Sequence, residues 1–153
     1  MPCPPIPQPN SDDVIDEAMI NDALAATGGG AWPEAETLDL SFRRVAKIEN
    51  LVCFDRLTSL SLSNNRINEI AGVAHLVTLT SLDLSFNKIE AVPEELTQLV
   101  NLRELSLHSN GLSDLSTIDC LPKLSVLNVG AWQGLYQPRM HRLRIGIVCF
   151  ALA

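Results

Sequence analysis

The fold of this chain is decided by four stretches that share one pattern: LDLSFRRVAKI (residues 38–48), LSLSNNRINEI (60–70), LDLSFNKIEAV (82–92) and LSLHSNGLSDL (105–115). A fifth stretch, LNVG, begins the same pattern at Leu127 and then stops. The starts lie 22 or 23 residues apart, and each full stretch reads L-x-L-x-x-N-x-[IVL]-x-x-[IVL], except that Arg43 takes the Asn position in the first. Self-similarity at a fixed period of this length indicates a stack of structural repeats.

Each stretch predicts a short strand, because the L-x-L alternation places both leucines on one face. No single unit can bury its leucine face alone, so parallel strands about 4.8 Å apart must bury one another's. The pattern resembles that of the leucine-rich-repeat family. This resemblance implies an α/β solenoid, a horseshoe fragment with parallel strands on its concave face. We expect four repeats and a partial fifth over residues 35–129.

One asparagine recurs in the same register of three repeats, at the turn that leaves the strand: Asn65, Asn87 and Asn110. A side-chain amide both donates and accepts, so a buried row of asparagines can satisfy the backbone groups of these turns. We therefore predict a structural Asn ladder of these three residues. Arg43 occupies the position in the first repeat, and because a buried Arg is costly, we expect that turn at the exposed edge of the stack.

Three segments precede the repeats. Residues 1–10 contain five prolines and are predicted to be a disordered tail. Residues 11–26 predict a helix, with Ser11 as N-cap, that covers the first repeat. A helix that binds a partner is the alternative interpretation. Residues 27–34, which contain three consecutive glycines, are predicted to be a linker.

The composition excludes several classes of function. The net charge is −7, and all 18 acidic residues lie within residues 1–129, which argues against nucleic acid and against an anionic membrane surface. The four cysteines show neither metal-ligand nor redox-pair spacing, so no metal or cofactor is expected. The first residues lack a signal-peptide pattern, and the longest uncharged apolar stretch has nine residues, against roughly 20 for a membrane span. We expect a soluble cytoplasmic protein.

The repeat pattern ends abruptly at Gly130. Residues 130–153 contain no acidic residue and predict an irregular segment. It could be a C-terminal cap, a short interfacial anchor beside Arg142 and Arg144, or a non-native terminus. The change of charge and pattern at one residue favours the last interpretation, in which the chain is the front part of a longer protein.

The outward face of the predicted strands is the candidate site for a protein partner. Its side chains include Asp39, Phe42, Asn64, Asp83, Phe86, Glu104 and His108. Exposed aromatic residues on a rigid scaffold often anchor a protein ligand. The alternative is that each Phe folds over the edge and covers its own turn.

Three residues of this face could suggest a catalytic site. Ser85, His108 and Asp83 fall close together in the predicted register, as in a catalytic triad. A flat strand array, however, lacks the pocket and the oxyanion donors that such a site needs. We therefore predict a solvated polar row and no enzyme.

Two segments point to a particular branch of the family. VIDEAMINDAL (residues 14–24), together with the repeats up to residue 92, resembles the leucine-rich-repeat subunits (subunit 3) of the axonemal nexin–dynein regulatory complex. The more specific motifs are V-I-D-E-x-M and the I-x-N-L-x-x-F that ends the first repeat, formed by Ile48, Asn50, Leu51 and Phe54. The resemblance implies a structural or regulatory subunit of the ciliary or flagellar axoneme, a cytoskeletal location, protein partners and no small-molecule substrate. The alternative is a soluble regulatory adaptor of the phosphatase-regulator or dynein-light-chain kind.

Overall fold

The computed structural model describes residues 14–28, 31–130 and, as backbone, 146–148. The predicted tail over residues 1–10, the proposed cap Ser11 and most of residues 131–153 lie outside the described residues.

The strands fall on the L-x-L stretches. They are β1 Thr37–Asp39, β2 Ser59–Ser61, β3 Ser81–Asp83, β4 Glu104–Ser106, β5 Val126–Asn128 and β6 Gly146–Val148. Within the described residues they form one parallel sheet in chain order, and the first leucine of each repeat pairs with that of the next. The predicted solenoid with parallel strands is confirmed.

The core lies behind the sheet and follows the repeat register. In β1 the central Leu38 is 2% exposed, and Leu40, the next residue of the same face, is fully buried. The second half of each repeat adds a buried row of Phe54, Leu76, Leu99 and Leu121. Two 3-10 helices, Glu94–Gln98 and Ser116–Cys120, return the chain toward the next strand. The outward face of the strands, which we call the strand face, is therefore supported from behind by a leucine core that continues from repeat to repeat.

The α-helix α1, Glu17–Ala26, precedes the repeats, and it begins later than predicted. The prediction of a helix from residue 11 is wrong for residues 14–16, because Val14 forms a parallel bridge with Lys47 instead. The helix begins where Asp16 caps it, with the carboxylate accepting a 2.7 Å hydrogen bond from the Met19 N–H. A side chain that caps a helix start in this way satisfies one of its free N–H groups.

The helix packs on the first repeat through its buried side chains Ile20, Ala23 and Leu24. At the edge of this contact, the Arg43 guanidinium of the first repeat lies 3.2 Å from the Asp22 carboxylate of α1. The Arg43 side chain keeps 33% of its surface exposed, and Phe42 beside it is 75% exposed, so the Arg43 turn lies at the surface with α1 at its flank.

Two other predicted boundaries also need correction. The predicted linker over residues 27–34 contains a 3-10 helix, Trp32–Glu34. The Trp32 ring stacks on Phe54 with centroids 6.1 Å apart, so this segment is packed against the first repeat. Residues 146–148 form β6, which pairs with β5 so that Ile147 lies opposite Leu127, and the prediction of an irregular segment is wrong for these three residues.

Candidate functional site

Three asparagine side chains bridge consecutive turns at the ends of the strands. The Asn65 Oδ1 accepts from the Arg43 and Val45 N–H groups, both at 3.0 Å, and its Nδ2 donates to the Leu40 and Leu62 carbonyl oxygens at 2.9 Å. Asn87 and Asn110 make equivalent bonds one and two repeats later. These bonds hold each turn to the turn before it, so the strand ends form one continuous edge.

In each of the four repeats, the residue before the Asn position, which Arg43 takes in the first repeat, has a positive φ. We call this set the exit row: Phe42 (φ 61°), Asn64 (55°), Phe86 (53°) and Ser109 (56°). Asparagine tolerates this left-handed region, but for a bulky side chain it is strained. Backbone hydrogen bonds from one repeat to the next hold the row, including Phe42 N–H to the Ser63 carbonyl oxygen at 3.2 Å.

Both phenylalanines of the exit row face solvent. Phe42 is 75% exposed and Phe86 is 50% exposed. The alternative interpretation, that each Phe covers its own turn, therefore does not describe Phe42. Phe86 makes an edge-to-face contact with His108 at a centroid distance of 4.8 Å. By strand spacing the two Phe residues lie about 10 Å apart on the same edge.

Two acidic residues of the strand face accept hydrogen bonds from the chain just after each strand ends. The Asp39 carboxylate accepts from the Ser41 N–H at 2.9 Å and from its hydroxyl at 2.6 Å. Asp83 accepts from the Ser85 N–H at 2.9 Å. Glu104 is exposed and accepts a 3.4 Å bond from Ser81. The three carboxylates make the strand face negative, while its serines keep it flat.

The structure does not bring Ser85, His108 and Asp83 together as a catalytic triad. Ser85, expected on the solvated face, is only 2% exposed. The His108 Nδ1 lies 3.0 Å from the Ser106 hydroxyl and 3.3 Å from the Asn128 amide. The Asp83 carboxylate accepts a hydrogen bond from the Ser85 backbone N–H. His108 therefore belongs to a polar cluster with β4 and β5. Its partners Ser106 and Asn128 also line an open depression of about 280 Å³, together with Asp83, Glu104 and Val126.

Two features of this surface did not emerge from the sequence analysis. The first is a row of exposed cations two residues after the exit row, Arg44, Arg66 and Lys88, which we call the basic row. The recurrence of a base directly after the Asn position could have indicated it. The second is Gly130, with φ +62°, where a Cβ would come within 2.9 Å of the His108 Cβ. Only the pairing of the fifth repeat with the fourth reveals this contact.

A comparison with protein families identifies the repeats. The leucine-rich-repeat model matches residues 29–132, more than half of the chain. The chain belongs to the leucine-rich-repeat family. Among curated proteins, no sequence matches significantly.

Solved leucine-rich-repeat structures share this fold. An internalin of Listeria monocytogenes is 30% identical, with a TM-score of 0.64 over 74% of this chain and 36% of its own length. The SNF/U2A′ complex of Drosophila melanogaster contains a chain that is 25% identical, with a TM-score of 0.61 over 75% of this chain and 67% of its own length. A leucine-rich-repeat protein of Leptospira interrogans is 32% identical, with a TM-score of 0.59. This chain spans about a third of the internalin, so the activity of a whole relative does not transfer to it.

The described part of the leucine-rich-repeat chain holds neither a metal-binding cluster nor a helix that could span a membrane. Among its residues, no group of three or more His, Cys, Asp or Glu side chains is placed to hold a metal ion. Its helix falls short of the length and apolar character that crossing a membrane requires.

Proposed function

We propose that this chain is a non-enzymatic scaffold for protein–protein interaction, and that the strand face and the exit row receive the partner. The single observation that carries the proposal is the pair of exposed phenylalanines, Phe42 and Phe86, at positive φ. A strained backbone residue persists where the surrounding structure holds it, and such residues concentrate at ligand-binding positions. Aromatic side chains also dominate binding energy at many interfaces.

The surface around the two phenylalanines suits a protein partner. Small serines let a partner approach the sheet closely, and the polar side chains supply a rim around the aromatic anchors. The proposed contact residues are Asp39, Asp83, Glu104 and His108 of the strand face and Phe42, Asn64 and Phe86 of the exit row. The Asn ladder has the separate role of holding this face in one geometry.

At a finer level we propose a structural or regulatory subunit of the ciliary or flagellar axoneme, in the nexin–dynein regulatory complex. The support comes from the two segments that carry the resemblance, because they contact each other. The Asn50 amide donates a 2.9 Å hydrogen bond to the Ile15 carbonyl oxygen, and Asp16 of the same segment caps α1. Both motifs thus contribute to one structural unit, the helix seated on the first repeat.

A soluble regulatory adaptor is an equally consistent second candidate. It is favoured by the similarity to a chain of the SNF/U2A′ complex, in which a leucine-rich-repeat fold of comparable extent takes part in an assembly. A scaffold of this kind would use the same strand face with a different partner.

Capture from ciliary extract tests the proposal. We expect that replacing Phe42 and Phe86 by Ser weakens the capture of partner proteins while the melting temperature is maintained. The matched control replaces Val52 and Val100, which are 61% and 46% exposed outside the strands, by Ser. Capture of axonemal subunits favours the first candidate, and capture of a soluble enzyme favours the adaptor. Unchanged capture with a lower melting temperature would show that both Phe residues only pack against the fold.

A further inference from the structure

The basic row lies directly beside the exit row. In each of the first three repeats one residue separates the two rows, and in the second and third that residue is the inward-pointing Asn65 or Asn87. Hydrogen bonds between repeats hold two members of the basic row, from the Arg66 N–H to the Val45 carbonyl oxygen and from the Lys88 N–H to the Ile67 carbonyl oxygen, both at 2.8 Å. The third member, Arg44, has a positive φ of 63°. Three cations and two exposed phenylalanines therefore run along one edge.

The charges of the basic row are available to a ligand. Among the described residues, ion pairs occur at Arg43 with Asp22 and at Arg56 with Glu36, and no carboxylate lies within 4 Å of the charged groups of the basic row. Glu69 and Glu90 follow farther along the chain, beyond the buried Ile67 and Ile89. A partner carboxylate would thus not have to displace an existing pair.

We infer that this edge binds an acidic segment of a partner protein that also carries leucine or aromatic side chains. The inference rests on the proposed function and names the chemistry of the partner. The cations complement partner carboxylates, and Phe42 and Phe86 contact the apolar side chains between them. The row spans about 10 Å over two repeat spacings, which matches acidic residues about three apart in an extended segment.

An acidic polypeptide fits better than a nucleic acid. Nucleic-acid binding depends on neutralising many phosphates, and three cations on a chain of net charge −7 provide few such contacts. The carboxylates of Asp39 and Asp83 on the adjoining strand face would also repel a phosphate backbone. A short acidic segment can follow the basic row and avoid them.

Selection from a random peptide library displayed on phage, with the full chain as target, tests the inference. We expect the selected peptides to be rich in Asp and Glu and to contain Leu, Phe or Trp. The charge-reversal variant R44E/R66E/K88E should weaken their binding at least about tenfold in fluorescence anisotropy, and added salt should weaken binding to the unaltered chain. A labelled single-stranded RNA serves as the competing probe.

The control variant R56E/R103E/K123E changes the net charge equally, but its residues precede strands β2, β4 and β5 at the opposite edge. It should bind the peptides within about twofold of the unaltered chain, because exposed charges beyond a Debye length contribute little. Circular dichroism checks the fold, and if charge reversal unfolds the chain, R44Q/R66Q/K88Q replaces that variant.

Selected peptides without acidic residues, equal weakening by both variants, or tighter binding of the RNA would each overturn the inference. Loss of capture in the Phe42 and Phe86 variant, with no effect of charge reversal, would leave the proposed function intact and overturn this inference alone.

Discussion

The Asn87 side-chain amide donates a hydrogen bond to the Leu62 carbonyl oxygen, 2.9 Å away in the preceding repeat. The same nitrogen also reaches the Leu84 carbonyl oxygen at 3.0 Å, and the Oδ1 accepts from the Ile67 N–H at 3.0 Å. One buried side chain thus satisfies backbone groups of two turns. Because such groups lose their bonds to water when they are buried, their satisfaction contributes to stability.

Replacement of Asn87 by Ala should lower the free energy of unfolding by about 1–3 kcal/mol, since it leaves buried backbone groups unsatisfied. Chemical denaturation followed by circular dichroism measures the change. The control is Asn68→Ala, at an exposed position of the preceding repeat, with an expected change of at most about 0.5 kcal/mol. An unchanged midpoint for Asn87→Ala would contradict a structural role for the Asn ladder.

Replacement of Phe42 by Asn should maintain or raise the stability, by up to about 1 kcal/mol, because Asn tolerates the positive φ that strains Phe. Asn64 already occupies the equivalent position one repeat later. Phe86→Asn should gain less, because it also removes the contact with His108, and such contacts contribute about 0.5–1.5 kcal/mol. Thermal denaturation compares the two variants. A marked loss of stability in Phe42→Asn would show that Phe42 supports the fold.

Replacement of Gly72 by Ala should destabilise the domain by about 1–3 kcal/mol. Gly72 has φ +74°, and a Cβ there would overlap the Ile48 carbonyl oxygen. Gly111→Ala is the matched control: it lies in a turn without positive φ, and its nearest contact would be an ordinary 3.7 Å. Equal melting temperatures for the two variants would show that the turn at Gly72 relaxes freely.

Replacement of Ile20 by Ala should cost about 2–5 kcal/mol, because this fully buried side chain seats α1 on the first repeat. Asp22→Ala removes only a partly exposed ion pair with Arg43, and such pairs contribute at most about 1 kcal/mol. Urea denaturation of both variants separates the two effects. A larger loss in Asp22→Ala than in Ile20→Ala would mean that charge, not apolar packing, holds the helix.

The repeat register was readable from the sequence because it is a local pattern that recurs. The L-x-L alternation predicted the parallel strands and their pairing, and the recurring asparagines predicted side chains that bridge the turns. The helix start was not readable, since Ser11 fits the preference for an N-cap and no local pattern shows that residues 14–16 are extended. The bridge between Val14 and Lys47 holds residues 14–16 in extended form, and it joins residues far apart in the chain.

The site was only partly predictable for the same reason. The alternation of the strands placed Asp39, Asp83 and Glu104 on the outward face. It left two directions open for Phe42 and Phe86, outward or folded over their own turns, because a left-handed turn, held by hydrogen bonds to the next repeat, decides their direction. Nor did it reveal that Ser85 is buried or that His108 contacts Ser106 and Asn128.

What the sequence by itself determined is the architecture: a period of 22 or 23 residues with leucines in register leaves stacking as the way to bury the leucine faces. What only the tertiary structure decided is the surface. The exposure of the two phenylalanines, the alignment of the basic row beside them and the space that Gly130 leaves for His108 each depend on a neighbouring repeat. Which leucines are buried follows from the local L-x-L pattern of each repeat. The direction of a surface side chain depends instead on hydrogen bonds and contacts between residues a full repeat apart.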